Sequence, residues 1–490
     1  MADIRKNLLL IMADQLTPML MGAYGHPVVK TPNLDKLVSK GIRFDAAYSP
    51  HPVCAPARAC MMTGRYASRI GAYDNGALLK ADEPTIAHYL TNTGYECVLS
   101  GKMHFVGPDQ LHGFKKRFVT NIYPADFRWT YMATEHGLKA NQAEQYIDES
   151  IHVGKWHSYL SYDEEAHFNA LEYIRSKSEK KDTPFFMCVS YHHPHEPFWP
   201  PQEFWDMYEG AEIDVPLFPE NLDETYSELD KWIREYNNVD QYNEKITDAE
   251  SIRCVRRAYY ALVSYIDKKV GELLDTLKLR GLDKDTVIAF TSDHGDMLCE
   301  RAMVQKRVFY EWSSRIPLIL CYPDGRHAGT VRQEPVSLID LLPTFLDIAG
   351  VPENKRLKID GRSLVKLLDG CEEGIRESIS ENPADEMVRT PCFMIRRDSY
   401  KYTYIHKGSC QLFNIRQDPG EWNNLAGKEE YAGIESELRE RILELFDPEA
   451  IYNDVIESFK KRMLIDQAMR INKTKWDAQE QRPVSHRSEE

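Results

Sequence analysis

Short runs rich in branched side chains alternate with amphipathic helical stretches along this chain, and that alternation restricts its fold more than any other feature. The runs are Leu8 to Met12, Cys97 to Ser100, Phe185 to Ser190, Thr286 to Thr291 and Leu318 to Cys321. They predict βαβ units, and so an α/β fold with a large mixed, mostly parallel sheet flanked by helices on both faces. The clearest helix is expected from about Ser251 to Leu279, where Val255, Tyr259, Leu262, Ile266, Val270 and Leu273 keep helical spacing. Gly281 ends it and Asp285 leads into the next strand.

In open α/β sheets, functional groups collect beyond the carboxyl ends of strands, because those ends and their loops converge on one edge. Asp14 and Gln15 follow the first run, Lys102 and His104 the second, His195 the third, and Asp293 and His294 the fourth. Four strand ends are therefore expected to deliver polar groups to one rim.

The pattern divides the chain into residues 1–370, the α/β catalytic domain, and residues 371–490, a smaller C-terminal α+β subdomain with a helical tail. Strand-like pieces at Cys392 to Arg396 and Tyr400 to Ile405 and the turn Asp418-Pro419-Gly420 mark the second part. The span from about Phe204 to Glu250 has weak periodicity and reads as an insertion beside the rim, either a lid or a solvated excursion. The stretch after Trp476 reads as a frayed tail or a subunit contact.

A net charge of −15 argues against a nucleic-acid partner, since a phosphate backbone repels an acidic surface. The apolar run at the N-terminus is interrupted by Asp14 and is too short for a signal-peptide core, and no stretch has the length to span a bilayer. Ten cysteines without CxxC pairs suit reduced thiols, so a cytoplasmic location and no membrane association are expected.

The most specific motif is Cys54-Ala55-Pro56-Ala57-Arg58, followed by Thr63-Gly64-Arg65. It resembles the sulfatase signature C-x-P-x-R with its downstream TGR. Gly101-Lys102-Met103-His104 resembles the family's G-K-x-H segment, His193-Pro194-His195-Glu196-Pro197 its P-H-x-P segment, and Thr291-Ser292-Asp293-His294-Gly295 its late metal motif. Lys306, Tyr310-Glu311 and Arg315-Ile316-Pro317 follow at the family's spacing, and Leu412 to Ile415 with Asp418 to Glu421 match its C-terminal signature. The resemblance thus covers nearly the whole chain, and implies the alkaline-phosphatase-like form of the α/β fold.

It also implies the chemistry. Sulfate esters are negatively charged and poor electrophiles, so hydrolysis needs a strong nucleophile, neutralised sulfuryl oxygens and a protonated leaving oxygen. In the family the cysteine is oxidised to formylglycine, whose hydrate attacks with one hydroxyl and expels sulfate with the other. The resemblance assigns the nucleophile to Cys54 and one divalent metal ion to Asp14, Gln15, position 54, Asp293 and His294. Lys102 and Lys306 then face the sulfuryl oxygens, His195 is the candidate acid, His104 the candidate base, and Arg58 holds the modified residue. The commonest family pattern has consecutive aspartates after the first strand and Asp-Asn at the late site. Gln15 and His294 replace two of these groups, and imidazole suits manganese or zinc better than an all-oxygen calcium site does, so calcium and manganese are both candidates. The His192-His193-x-His195 cluster is a separate zinc candidate, although its spacing is not a standard ligand pattern.

Long stretches such as Gly25 to Pro32, Ile70 to Asn75 and Ser100 to Phe114 resemble choline sulfatases in particular. Trp129 is then the candidate face for a trimethylammonium group, with Asn75 a polar contact. Arg128 stands where a small residue is usual; facing the pocket, it would favour a substrate with a second anionic group. Aryl or carbohydrate sulfates are alternatives, as are phosphonate or phosphate ester hydrolysis on the same fold and a non-catalytic anion or metal binder with unmodified Cys54. The partners implied are a small-molecule sulfate ester, a formylglycine-generating or radical maturase, and further copies of the chain in a dimer or tetramer.

Overall fold

Leu8, Leu10 and Met12 leave the first strand on one side and Leu9, Ile11 and Ala13 on the other, and all six are fully buried. A strand apolar on both faces has to lie in the middle of a layered structure. The computed structural model describes residues 5–130, 140–177, 183–372, 374–383, 388–474 and 476. Its principal strands are β1 Asn7–Asp14, β2 Ile42–Phe44, β3 Ala47–Tyr48, β4 Glu96–Gly101, β5 Lys116–Arg117, β6 Phe185–Pro194, β7 Thr286–Ser292, β8 Leu318–Cys321 and β9 Thr330–Arg332. Eight of them form one sheet in the order β5-β4-β6-β1-β7-β8-β2-β9. β1 pairs in parallel with β6 and β7, and only β8 runs against its neighbours. The mixed, mostly parallel sheet anticipated from the alternation is present.

Each face has its own core. Leu9, Ile11 and Ala13 pack with Val255, Tyr259, Leu262 and Ile266 of the helix Ala249–Leu279. That helix starts where the Asp248 side chain accepts from the backbone of Glu250 and Ser251. On the other face Leu8, Leu10 and Met12 pack with Met61 and Met62 of the helix Cys54–Thr63 and with Leu342 and Phe345 of Leu341–Ile348.

β10 (Val336–Ser337) pairs with β3. Beyond residue 370, β11 Glu377–Asn382, β12 Cys392–Arg397, β13 Tyr400–Ile405 and β14 Gln411–Asn414 form an antiparallel sheet in chain order. The helices Ala432–Leu445 and Pro448–Asn472 pack on it through Leu438, Ile442, Ile451 and Phe459. The span read as an insertion is no solvated excursion: it folds into short helices, and Tyr226, Leu229 and Ile233 share a core with Met394, Ile405 and Phe413 of the second sheet. The tail after Trp476 lies outside the described residues. Among the described residues no helix is long and apolar enough to cross a membrane, and all ten cysteines are free.

One glycine positions a strand end. Gly101 closes β4 with φ +103°, and a β-carbon there would lie 1.9 Å from the carbonyl oxygen of Ser190 on β6. That same oxygen accepts the amide of Lys102 at 2.9 Å, so the close approach turns Lys102 out of the strand. Gly101→Ala should therefore lower unfolding free energy by roughly 3 kcal/mol or more. An unchanged urea midpoint would contradict this.

Candidate active site

The carboxyl ends of β1, β4, β6 and β7 meet at one edge, and Asp14, Lys102, His195, Asp293 and His294 lie there, all buried. The first turn of Cys54–Thr63 points at the same edge. Pro56 needs no amide partner in a first helical turn, and Arg58 stands one turn after Cys54 on the same face. Asn75 Oδ1 accepts the Ala55 amide at 3.0 Å, satisfying one of the helix's free donors. At the far end Gly64 takes the left-handed conformation (φ 66°) that a helix terminus favours. The spacing C-x-P-x-R followed by Thr-Gly thus describes a capped helix that aims Cys and Arg together.

Cys54 Sγ lies 3.1 Å from His294 Nε2 and 3.8 Å from Asp14 Oδ1. Arg58 binds Asp14 Oδ2 and Asp293 Oδ2, each at 2.8 Å, and also donates to the Lys102 carbonyl and Ser190 Oγ. Lys102 Nζ is 2.5 Å from Asp14 Oδ2. Burial alone would raise the Asp14 carboxyl, but Lys102 and Arg58 hold it well below its ordinary range. Burial, aided by the Asp14 charge, pushes the Cys54 thiol up to about 12, so the unmodified side chain is held as a thiol.

Asp14, Cys54, Asp293 and His294 each offer one donor atom, and the four atoms lie within 4.8 Å of one another. His294 Nδ1 is 2.9 Å from the Gly295 carbonyl, which fixes the tautomer and leaves the Nε2 lone pair facing the cluster. Two carboxylates and an imidazole with its lone pair turned inward fit a divalent cation. Gln15, at φ 63°, is tied in from behind. Its amide nitrogen is 2.7 Å from Glu196 Oε2 and 2.5 Å from Asp296 Oδ2, while its carbonyl oxygen accepts from Lys306. Burial and the neighbouring Glu196 push the Asp296 carboxyl up to about 7.

Lys306 Nζ also donates to His195 Nε2 at 2.9 Å, and His195 Nδ1 faces the Glu196 carbonyl at 2.9 Å. Burial and the Lys306 charge keep the His195 imidazole neutral, its value well below normal. His104 (φ 59°) is likewise held neutral by burial and Lys102, and among the described residues neither of its ring nitrogens has a hydrogen-bond partner.

Among the described residues, the three histidines considered for zinc are adjacent but form no group that could hold a metal ion. His193 Nδ1 binds Asp163 at 2.7 Å, His192 stacks on Tyr159 with ring centroids 4.0 Å apart, and His195 belongs to Lys306.

His104 leads to an aromatic group. Its ring lies 4.9 Å from Tyr123 and 5.6 Å from Trp129, and the latter two are 4.7 Å apart. Lys102 Nζ sits 4.2 Å from the centre of the Tyr123 ring. Arg128 is turned to Asp126, with Nε to Oδ1 at 2.8 Å and Nη2 to Oδ2 at 2.6 Å, and no contact joins it to the cluster among the described residues. Sequence reasoning missed Glu196 and Asp296 as supports of Gln15, and Tyr123 as a wall. The two acids stand one residue after His195 and two after His294, so adjacency to motif positions was the available signal.

The family model described as Sulfatase matches residues 6–351. This chain belongs to the sulfatase family. A second model, described as N-sulphoglucosamine sulphohydrolase, C-terminal, matches residues 299–448 of the sulfatase chain. A relative named Choline-sulfatase, from Rhizobium meliloti (strain 1021), is 37% identical, spanning 99% of this sulfatase and 95% of that protein. An Arylsulfatase from Clostridium perfringens is 28% identical over 92% of this chain and 96% of that one. In fold, the sulfatase is similar to the phosphonate monoester hydrolase of Agrobacterium radiobacter, with TM-score 0.71 at 24% identity, covering 90% of this chain and 95% of that one.

Proposed function

We propose that this sulfatase hydrolyses choline-O-sulfate to choline and inorganic sulfate, with a formylglycine made from Cys54 as its nucleophile. The observation that carries the catalytic part is the setting of Cys54: its sulfur touches His294 and Asp14, while the buried cations Arg58, Lys102 and Lys306 line the same cluster. Cys54 is 2% exposed, so conversion by a maturase has to reach it before the fold closes.

Asp14, Gln15, Asp293, His294 and position 54 would hold one divalent ion, calcium or manganese, which when bound would acidify a position-54 hydroxyl and polarise a sulfuryl oxygen. Hydrated formylglycine supplies both an attacking oxygen and a second hydroxyl whose deprotonation expels sulfate. The protein does the rest. Arg58 fixes both carboxylates by direct pairing, and Lys102 and Lys306 offset charge on the non-bridging oxygens. The Lys306-His195 pair holds one proton more than the neutral pair, in the hydrogen bond between them, and gives it to the leaving alcohol oxygen. Neutral His104, whose ring nitrogens have no hydrogen-bond partner among the described residues, takes the proton of the second hydroxyl.

The aromatic group supports the choline assignment. A trimethylammonium offers no N–H to hydrogen-bond and is recognised by aromatic faces. Trp129 is half-buried beside His104, and the Asp126 carboxylate occupies the Arg128 guanidinium that would otherwise repel a quaternary cation. The relative named Choline-sulfatase supports the same substrate. Trp129→Ala should raise KM for choline sulfate about 10-fold with kcat changed less than about 2-fold. Side-by-side kcat/KM values for choline sulfate, an aryl sulfate, a phosphonate monoester and a phosphodiester test the substrate. Choline sulfate should lead by about 100-fold or more; a preferred aryl sulfate would overturn the choline assignment, and a preferred phosphorus ester would overturn the sulfatase activity.

A further inference from the structure

The C-terminal helix Pro448–Asn472 reaches the aromatic side of the site through one side chain. Arg462 is only 4% exposed and grips both carboxylate oxygens of Asp74, Nη1 at 2.8 Å and Nη2 at 2.6 Å. Its Nη1 also donates to Thr130 Oγ1 at 3.0 Å. Asp74 precedes Asn75, and Thr130 follows Trp129. A single guanidinium therefore joins the turn that carries Asn75 to the turn that carries Trp129.

A second observation places the same two turns in contact. A β-carbon at Gly76 would lie 2.8 Å from the Trp129 carbonyl oxygen and 2.9 Å from the Thr130 amide nitrogen. The turns touch backbone to backbone, with no room for a side chain between them. The first is anchored at the nucleophile, since Asn75 Oδ1 accepts the amide of Ala55, the neighbour of Cys54. The second is held from the same end of the chain by Trp476, whose ring lies 5.0 Å from that of Phe127.

We propose that Arg462 is a positioning residue that sets substrate specificity: it fixes the spacing between Asn75 and Trp129, and so the size of alcohol group the site accepts. The proposal rests on the choline reading above, in which Trp129 faces the trimethylammonium group, extended here to Asn75 as its polar contact across the pocket. A forked guanidinium suits the task, because it can bind a carboxylate through two nitrogens while a third hydrogen bond reaches the second turn. Lysine keeps the charge but cannot span both partners in that geometry.

The test uses the full-length enzyme carrying Arg462→Met, Arg462→Lys, and Arg462→Met combined with Asp74→Asn; the double variant removes both buried charges and so leaves neither unpaired. Hydrogen exchange over residues 72–78 and 123–130 reads the coupling itself. In Arg462→Met and in the double variant, exchange should quicken in both segments together, by about 10-fold, with the remaining protection unchanged. KM for choline sulfate should rise about 10-fold with kcat within about 2-fold, both constants for 4-nitrophenyl sulfate should stay within about 2-fold, and Arg462→Lys should fall between. Faster exchange in one segment alone or in neither, an unchanged KM for choline sulfate in folded protein, or equal losses on both esters would overturn the proposal. If the parent enzyme does not turn over choline sulfate, the substrate reading fails, and the exchange measurement still decides whether Arg462 couples the two turns.

Discussion

Cys54→Ala should lower kcat/KM for any sulfate ester by about 10⁴-fold or more, since an alanine methyl offers no thiol to convert, so the proposed formylglycine hydrate cannot form while the charged pocket stays in place. A loss of that size corresponds to more than about 5 kcal/mol of transition-state stabilisation, beyond what a packing change alone delivers. The fold should survive, because the substitution deletes one sulfur at a helix terminus whose Asn75 cap is untouched. An unfolding free energy within about 2 kcal/mol of the parent would show this. Near-normal turnover by a folded Cys54→Ala enzyme would remove position 54 from the reaction.

Asp293→Ala should cost metal and activity together, with the activity loss about 10³-fold or greater. Asp293 uses both carboxylate oxygens: Oδ2 binds Arg58 at 2.8 Å, and Oδ1 accepts the backbone amides of Gln15 and His294, each at 3.1 Å. Its loss removes one donor of the proposed ion site and leaves Arg58 half-compensated in a fully buried site, a defect of about 3 to 5 kcal/mol in stability. Asp293→Asn separates these effects, because it keeps the shape and an oxygen acceptor for the amides while removing the charge. It should fold better than Asp293→Ala and still bind metal poorly. Metal content by atomic emission, measured beside kcat/KM, checks both variants; an active, metal-free Asp293→Ala enzyme would remove the ion from the account.

How much of this was legible in the sequence depends on distance along the chain and on burial. The five branched runs became β1, β4, β6, β7 and β8, because each was long enough for apolar residues on both faces to register. β2, β5 and β9 have two or three residues each, too few to show a period, and went unnoticed. Residues that follow long strands were placed correctly at one rim, since strand ends in a parallel sheet share a direction. Side-chain direction was not legible. Nothing in Phe127-Arg128-Trp129 says that the guanidinium turns back to Asp126 while the indole meets His104. The family resemblance names Gln15 as a ligand, but no local pattern shows that acids from two other strand ends grip its amide nitrogen, a meeting that only the folded sheet creates. Arg462 gave no signal at all: its partner is 388 residues away, and it stands in a helix dense with charged residues.

The whole proposed reaction depends on position 54 working as a modified residue inside this cluster of charges. The most direct test is the mass of the peptide spanning Cys54, taken from protein co-expressed with a competent maturase, by high-resolution mass spectrometry. The expected peptide is one in which the CH2SH side chain has become CHO, losing sulfur and two hydrogens and gaining oxygen, in proportion to sulfatase activity across preparations. A peptide carrying unmodified cysteine in fully active enzyme would contradict it.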